Sequence, residues 1–173
     1  GFLFDLGDRE KAIADMRTVL ESDSSADDAR RIKMGLARML TATGKEDEAH
    51  KLVDEVLSED SGAVEALKLK ATWFIRDDKV GDAISTLRQA IDESPNDASL
   101  MTLMAQAYER DGNRDLMREM LSLAVNASNR APDESLRYAQ FLGSDNKLVQ
   151  AESVIIDALR LSPGNAGLLI PLG

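Results

Sequence analysis

Cysteine is absent from the 173 residues, which rules out disulfides and thiolate metal sites without choosing a compartment. Aromatic residues make up only 4% of the chain, and β-branched runs are scarce. Ala, Leu, Glu, Asp, Lys and Arg dominate instead, so local preference leans towards helix. No apolar run approaches the ~20 residues a membrane-spanning helix needs, and direct membrane insertion of this segment is not expected. The opening Gly1-Phe2-Leu3-Phe4-Asp5 is apolar but too short, and lacks the basic lead of a signal peptide. An exported parent protein would carry its signal outside this chain. Positive charge is also short: 21 Lys and Arg face 31 Asp and Glu, a formal charge of −10. Such a balance repels phosphates at long range, and no Lys/Arg cluster reverses it locally, so a nucleic-acid partner is not expected.

Catalytic equipment is missing too. There is no glycine-rich phosphate loop, nucleophile elbow or paired-acid motif. His50 is the single histidine. Its sequence neighbours are Glu46, Asp47 and Asp54, whereas zinc sites usually bring two or three His or Cys ligands; it reads as a surface or half-packed residue. Asp111-Gly112-Asn113-Arg114-Asp115 opens like a calcium loop, but the required Gly and Glu are replaced by Leu116 and Ser122, so it reads as a turn between helices. Asn126-Ala127-Ser128 is formally a glycosylation sequon near a helix end. The expectation is a non-enzyme with no cofactor, no metal and no catalytic residue.

What is present is a repeat. Ala37, Ala71, Ala105 and Ala139 stand 34 residues apart. Ala49, Ala83 and Ala151 keep the same spacing, with Met117 in the slot between the last two. Val56, Ala90, Ala124 and Ala158 form a third column, and Ser61, Pro95, Asn129 and Pro163 a fourth that ends each repeat. Large residues share the register: Leu40, Phe74, Tyr108 and Leu142, then Val53, Leu87, Leu121 and Ile155. Within a repeat the apolar spacing is helical and comes in two blocks, for example Leu67, Ala71, Phe74 and Ile75, then Ala83, Ile84, Leu87, Ala90 and Ile91. Gly44 and Gly112 share the slot of Asp78 between the blocks, where glycine can end a helix in the left-handed conformation. Asn113 and Asp78 are expected to cap the second helix, and proline ends the repeat because it cannot continue a helix interior. The alanines are read as crossing points, where two antiparallel helices approach closely because neither side chain is bulky.

These columns resemble the tetratricopeptide repeat family, whose pattern has a small residue in the first helix, Ala early and a small residue later in the second, and a terminal Pro. The resemblance implies an all-α, right-handed superhelical solenoid of antiparallel helix pairs. It covers one array over 1–173: a partial repeat 1–29, repeats 30–63, 64–97, 98–131 and 132–165, and a partial repeat 166–173. Gly7 to Ile13 matches the turn and early second helix at Gly44 to Ala49, with a three-residue insertion near Ser24 to Asp28. Three departures stand out. Met117 predicts a looser fourth helix pair, Lys33 and Lys70 fill columns that are usually apolar, and the family's frequent Trp and Leu-Gly pair are mostly missing. Phe2, Leu3, Phe4 and Leu6 at one end, and Leu168, Leu169, Ile170 and Leu172 at the other, read as open faces. They suggest a piece of a longer array able to associate with itself as a homo-oligomer.

The resemblance further implies a concave groove lined by first helices and occupied by a protein or peptide partner. Carried over by position, it includes Arg31, Arg38, Lys68, Thr72, Arg76, Gln106, Arg110, Arg137 and Gln140, with Met34, Thr41, Glu65, Ser99, Thr102, Glu109, Asp133 and Ser144 on or near it. Basic residues outnumber acidic ones there although the chain is acidic overall, which favours an acidic or C-terminal-carboxylate peptide. The Lys/Asn/Arg carboxylate clamp of chaperone-tail relatives is not present. The methionines at Met101, Met104, Met117 and Met120 read as core filling, and Trp73 as the best exposed aromatic anchor. The leading reading is a protein-binding scaffold, with a bacterial texture that suits an envelope, export or assembly system, cytoplasmic or periplasmic. A self-association module and the regulatory array of a larger enzyme stay open as alternatives.

Overall fold

The computed structural model describes residues 2–21 and 25–169. Among them every regular element is a helix: α1 (Phe2–Glu21), α2 (Ala26–Ala42), α3 (Glu46–Glu59), α4 (Val64–Arg76), α5 (Val80–Glu93), α6 (Ala98–Arg110), α7 (Arg114–Ala127), α8 (Pro132–Ser144), α9 (Leu148–Leu161) and the short α10 (Ala166–Leu169). None of the described helices is long and apolar enough to cross a membrane. The chain divides into two compact units, Gly1–Lys70 and Ala71–Gly173, with the division inside α4. In the first unit α1 packs on α2, and α2 on α3. In the second each helix from α5 to α9 packs on the next, and α10 rests on α8 and α9.

The predicted repeat starts at Val64, Ala98 and Pro132 are the first residues of α4, α6 and α8. No helix begins at the repeat boundary Arg30: α2 starts earlier, at Ala26, where the Ser25 hydroxyl accepts the Asp28 N–H at 3.2 Å and donates to the Asp28 carboxylate at 2.7 Å. Residues of the inserted segment thus become an additional first turn of a capped helix. A correction concerns Gly7, which lies inside continuous α1 rather than at a turn. A glycine inside a helix costs only about 1 kcal/mol relative to alanine and is carried by the surrounding turns.

The turns within repeats share one geometry. Gly44, Asp78, Gly112 and Asn146 all have φ between 59° and 78°. The residue after each donates its N–H to the carbonyl five positions back: Lys45 to Leu40 at 2.9 Å, Lys79 to Phe74 at 2.8 Å, Asn113 to Tyr108 at 2.9 Å and Lys147 to Leu142 at 2.8 Å. This is the left-handed helix stop that satisfies the last carbonyls. Asn113 caps α7 as expected, accepting the Leu116 N–H at 3.2 Å. Asp78 does not cap α5. It is the left-handed residue itself, and Lys79 occupies the cap position without a side-chain bond. Nothing lies within 4 Å of a Cβ built on Gly112, so a substitution there reports backbone conformation alone. Asp78→Gly should stabilise the protein by about 0.5–1 kcal/mol, and Gly112→Ala should destabilise it by about 1 kcal/mol. Opposite shifts in melting temperature are expected; shifts of the same sign would contradict the shared turn.

The columns form the core. Ala37, Ala71, Ala105 and Ala139 are buried, as are Ala49 and Ala83, and Val56, Ala90, Ala124 and Ala158. Val53, Leu87, Leu121 and Ile155 are buried beside them, with Leu40, Tyr108 and Leu142; Phe74 is half-buried. The looser pair expected from Met117 is not found: α6 and α7 pack at least as extensively as α2 with α3 or α8 with α9. The unbranched thioether lies against the cluster of Ala105, Leu121, Phe141 and Leu142 instead of wedging the helices apart. Lys33 and Lys70 are explained by the acidic face of α3. Lys33 Nζ reaches Glu59 at 2.9 Å and Glu55 at 3.1 Å, and Lys70 Nζ reaches Asp54 at 2.9 Å. The hydrogen bond to Glu59, then that to Glu55, holds the Lys33 ammonium above its ordinary range despite the burial of its stem.

Leu168 is also a correction. It is buried against Ala139, Ile155 and Ala158 and is no open face. The side chains of Phe2, Leu3, Phe4, Leu6, Leu169, Ile170 and Leu172 lie outside the described set.

Candidate functional site

Six residues forecast for a groove come together in the second unit. Thr102, Gln106 and Glu109 on α6 face Arg137, Gln140 and Ser144 on α8 across a cleft of about 540 Å3. Helical spacing explains each wall, since positions three, four or seven apart share a face. The floor comes from Ala105 and from Met117 and Leu121 of α7, with Phe141 beside them and Arg114 of α7 at the mouth. An apolar floor between polar walls is the usual make-up of a ligand cleft. Met117 and Phe141 were not foreseen in it.

Arg114 is held in place at the mouth. Its guanidinium lies 5.1 Å from the centre of the Phe141 ring, donates to Ser144 Oγ at 3.1 Å and pairs with Asp145 at 2.9 Å. Hydrogen bonds from Arg114 and then from Lys147, the latter 3.2 Å away, hold the Asp145 carboxyl below its ordinary value. Arg114 is therefore oriented but partly neutralised. Arg137 is exposed and makes no ion pair among the described residues, and Glu109 supplies an opposing carboxylate. The hydroxyl oxygen of Thr102 is shielded from solvent and has no hydrogen-bond partner among the described residues.

The other forecast residues fall elsewhere. In the first unit Arg31 and Arg38 line a shallow pocket with Arg30, Met34, Asp60 and Glu65. Its cations are already matched: Arg31 pairs with Asp28 at 3.1 Å, Arg38 with Glu65, and Arg30 with Asp27 and with Asp60, the latter at 2.8 Å; Lys68, outside the pocket, pairs with Glu65 at 3.1 Å. Thr72, Arg76 and Arg110 are in the second unit but do not line its cleft, and Arg76 pairs with Asp77 at 3.1 Å. Trp73 is corrected: it is 5% exposed and belongs to the core, so it offers no anchor. Met101 and Met104 are buried. No group of three His, Cys, Asp or Glu able to hold a metal occurs among the described residues.

Residues 3–67 match the family model described as tetratricopeptide repeat, and the helix pairs with their shared turns continue that pattern to α9. Residues 3–67 carry the tetratricopeptide signature, and the chain has the fold of a tetratricopeptide solenoid. Its fold is similar to TTC0263, a thermophilic TPR protein of Thermus thermophilus, with a TM-score of 0.74 and 18% identity over 97% of this chain and 90% of that one. It is also similar to MamA residues 41 to the end from Desulfovibrio magneticus RS-1, with a TM-score of 0.69 and 16% identity over 94% of this chain and 90% of that one. In sequence it is 23% identical over 141 residues to the human protein O-mannosyl-transferase TMTC1, covering 78% of this chain but only 16% of that protein. The transferase name describes that longer protein. Tetratricopeptide arrays generally serve as scaffolds for protein contact rather than as catalysts.

Proposed function

We propose that the chain holds a protein partner by taking an extended peptide into the cleft between α6 and α8. The observation that carries this reading is the junction of an apolar floor, Met117, Leu121 and Phe141, with a guanidinium at Arg137 that makes no ion pair among the described residues. An apolar side chain of the peptide settles on that floor. Gln106 and Gln140 occupy the same register on successive first helices, and each amide can both donate to and accept from a peptide backbone. Arg137 receives a carboxylate, either acidic or C-terminal. The first unit is the poorer receptor, because its cations are already matched by Asp28, Asp60 and Glu65.

Peptides selected on the wild-type chain from a random library test this. Arg137→Glu should weaken them by about tenfold or more, while Arg31→Glu should leave them unchanged. Selected peptides that ignore Arg137→Glu would place the receptor elsewhere.

A further inference from the structure

Second helices of the array present comparable positions to the outside, so the chain supplies its own reference for what an outer face should carry. On α3 and α5 two of these positions hold Glu48 and Glu55, then Asp82 and Gln89; on α9 they hold Gln150 and Asp157. On α7 the same pair is Leu116 and Leu123. The two leucines are seven residues apart and so lie along one helix face. Leu123 is 40% exposed although α8 is already packed beside α7, so the next helix of the array leaves this surface open. The leucines line a furrow of about 430 Å3 whose far wall is the half-buried Tyr138 of α8. Its rim carries Asp115, Arg118 and Glu119. Arg118 is committed to Asp115 at 3.0 Å, whereas Glu119 makes no ion pair among the described residues. The rim therefore keeps an excess negative charge beside an apolar trough.

We propose that this furrow is a second docking surface, separate from the α6–α8 cleft, for an amphipathic helix of a partner protein that carries lysine or arginine beside its apolar face. A stripe of leucines at heptad spacing receives the apolar side chains of a crossing helix. The uncompensated Glu119 selects a cation on it and rejects an acid, which sets orientation more than raw affinity. A second copy of this chain fits less well, because its own outer helices would bring further carboxylates to an already acidic rim.

The probe is a pair of fluorescent 15-residue helical peptides with leucines seven apart, one flanked by lysines and its twin by glutamates, measured by anisotropy against the whole chain. The lysine peptide should bind and the glutamate peptide should not, with affinity falling as salt rises. Leu123→Glu should weaken the lysine peptide by about tenfold or more, and Glu119→Lys, on an exposed site, should shift preference to the glutamate twin. Peptides selected for the cleft should bind both variants normally. No binding of the lysine peptide, equal binding by Leu123→Glu, or an unchanged preference in Glu119→Lys would each overturn the proposal. Concentration-dependent dimerisation abolished by Leu123→Glu would also overturn it, assigning the furrow to a second copy.

Discussion

Ala83→Leu should lower the melting temperature clearly, because its side chain is fully buried and a larger one has nowhere to go. Ala83 is fully buried, one turn before the buried Leu87 and two before the buried Ala90. The extra carbons have no space to enter in a core packed at the density of an organic crystal. They force either a displaced helix or an unfavourable rotamer, at a cost of about 1–3 kcal/mol. For a chain of this size each kcal/mol lowers the midpoint by roughly 2–4 °C. Ala71→Leu should behave alike, since it fills the partner column. Unchanged melting curves for both would mean that small side chains are not what lets these helices meet.

A larger loss is expected from Leu142→Ala. Leu142 is buried within the cluster of Ala105, Leu121 and Phe141. Truncation removes the transfer energy of its methyl groups and leaves a cavity, together about 2–5 kcal/mol. The same change at Leu148, which is 64% exposed, should stay within about 0.5 kcal/mol. The comparison also bears on the cleft, because Phe141 is both a neighbour of Leu142 and the ring beneath Arg114. Peptide affinity should fall in Leu142→Ala more than in Leu148→Ala. Chemical denaturation of the two variants, followed by titration of the selected peptides, checks both parts.

The repeat was legible because its columns recur every 34 residues, and a recurring alanine has few explanations other than close approach. Single residues carried less. Asp78 looked like a helix cap because Asp favours caps, yet Asp and Asn also tolerate the left-handed region, and in this turn the backbone decides. Neither Gly44 nor Gly112 could show that Asn146 would follow them. Trp73 stands next to a core column, a position that reads from the sequence as partly exposed. A helix face that packs on both its own pair and its neighbours is wider than one column, and Trp73 falls within it. The excess of cations among first-helix positions was visible, but not its neutralisation in the first unit. That depends on which carboxylates the rotamers of Arg30, Arg31 and Arg38 can reach. Residues from three helices make the cleft, and only its polar walls could be forecast from position. The floor needed the thioether of Met117 to lie along the core.

Methyl nuclear Overhauser spectroscopy on the intact chain probes the packing of helix on helix most directly. The Ala105 methyl should show cross-peaks to methyls of Leu121, Met117 or Leu142, and Ala139 should show the corresponding set to Ile155, Ala158 or Leu168. Cross-peaks linking these alanines only to residues of their own helices, or to partners that differ in register between the two, would contradict it.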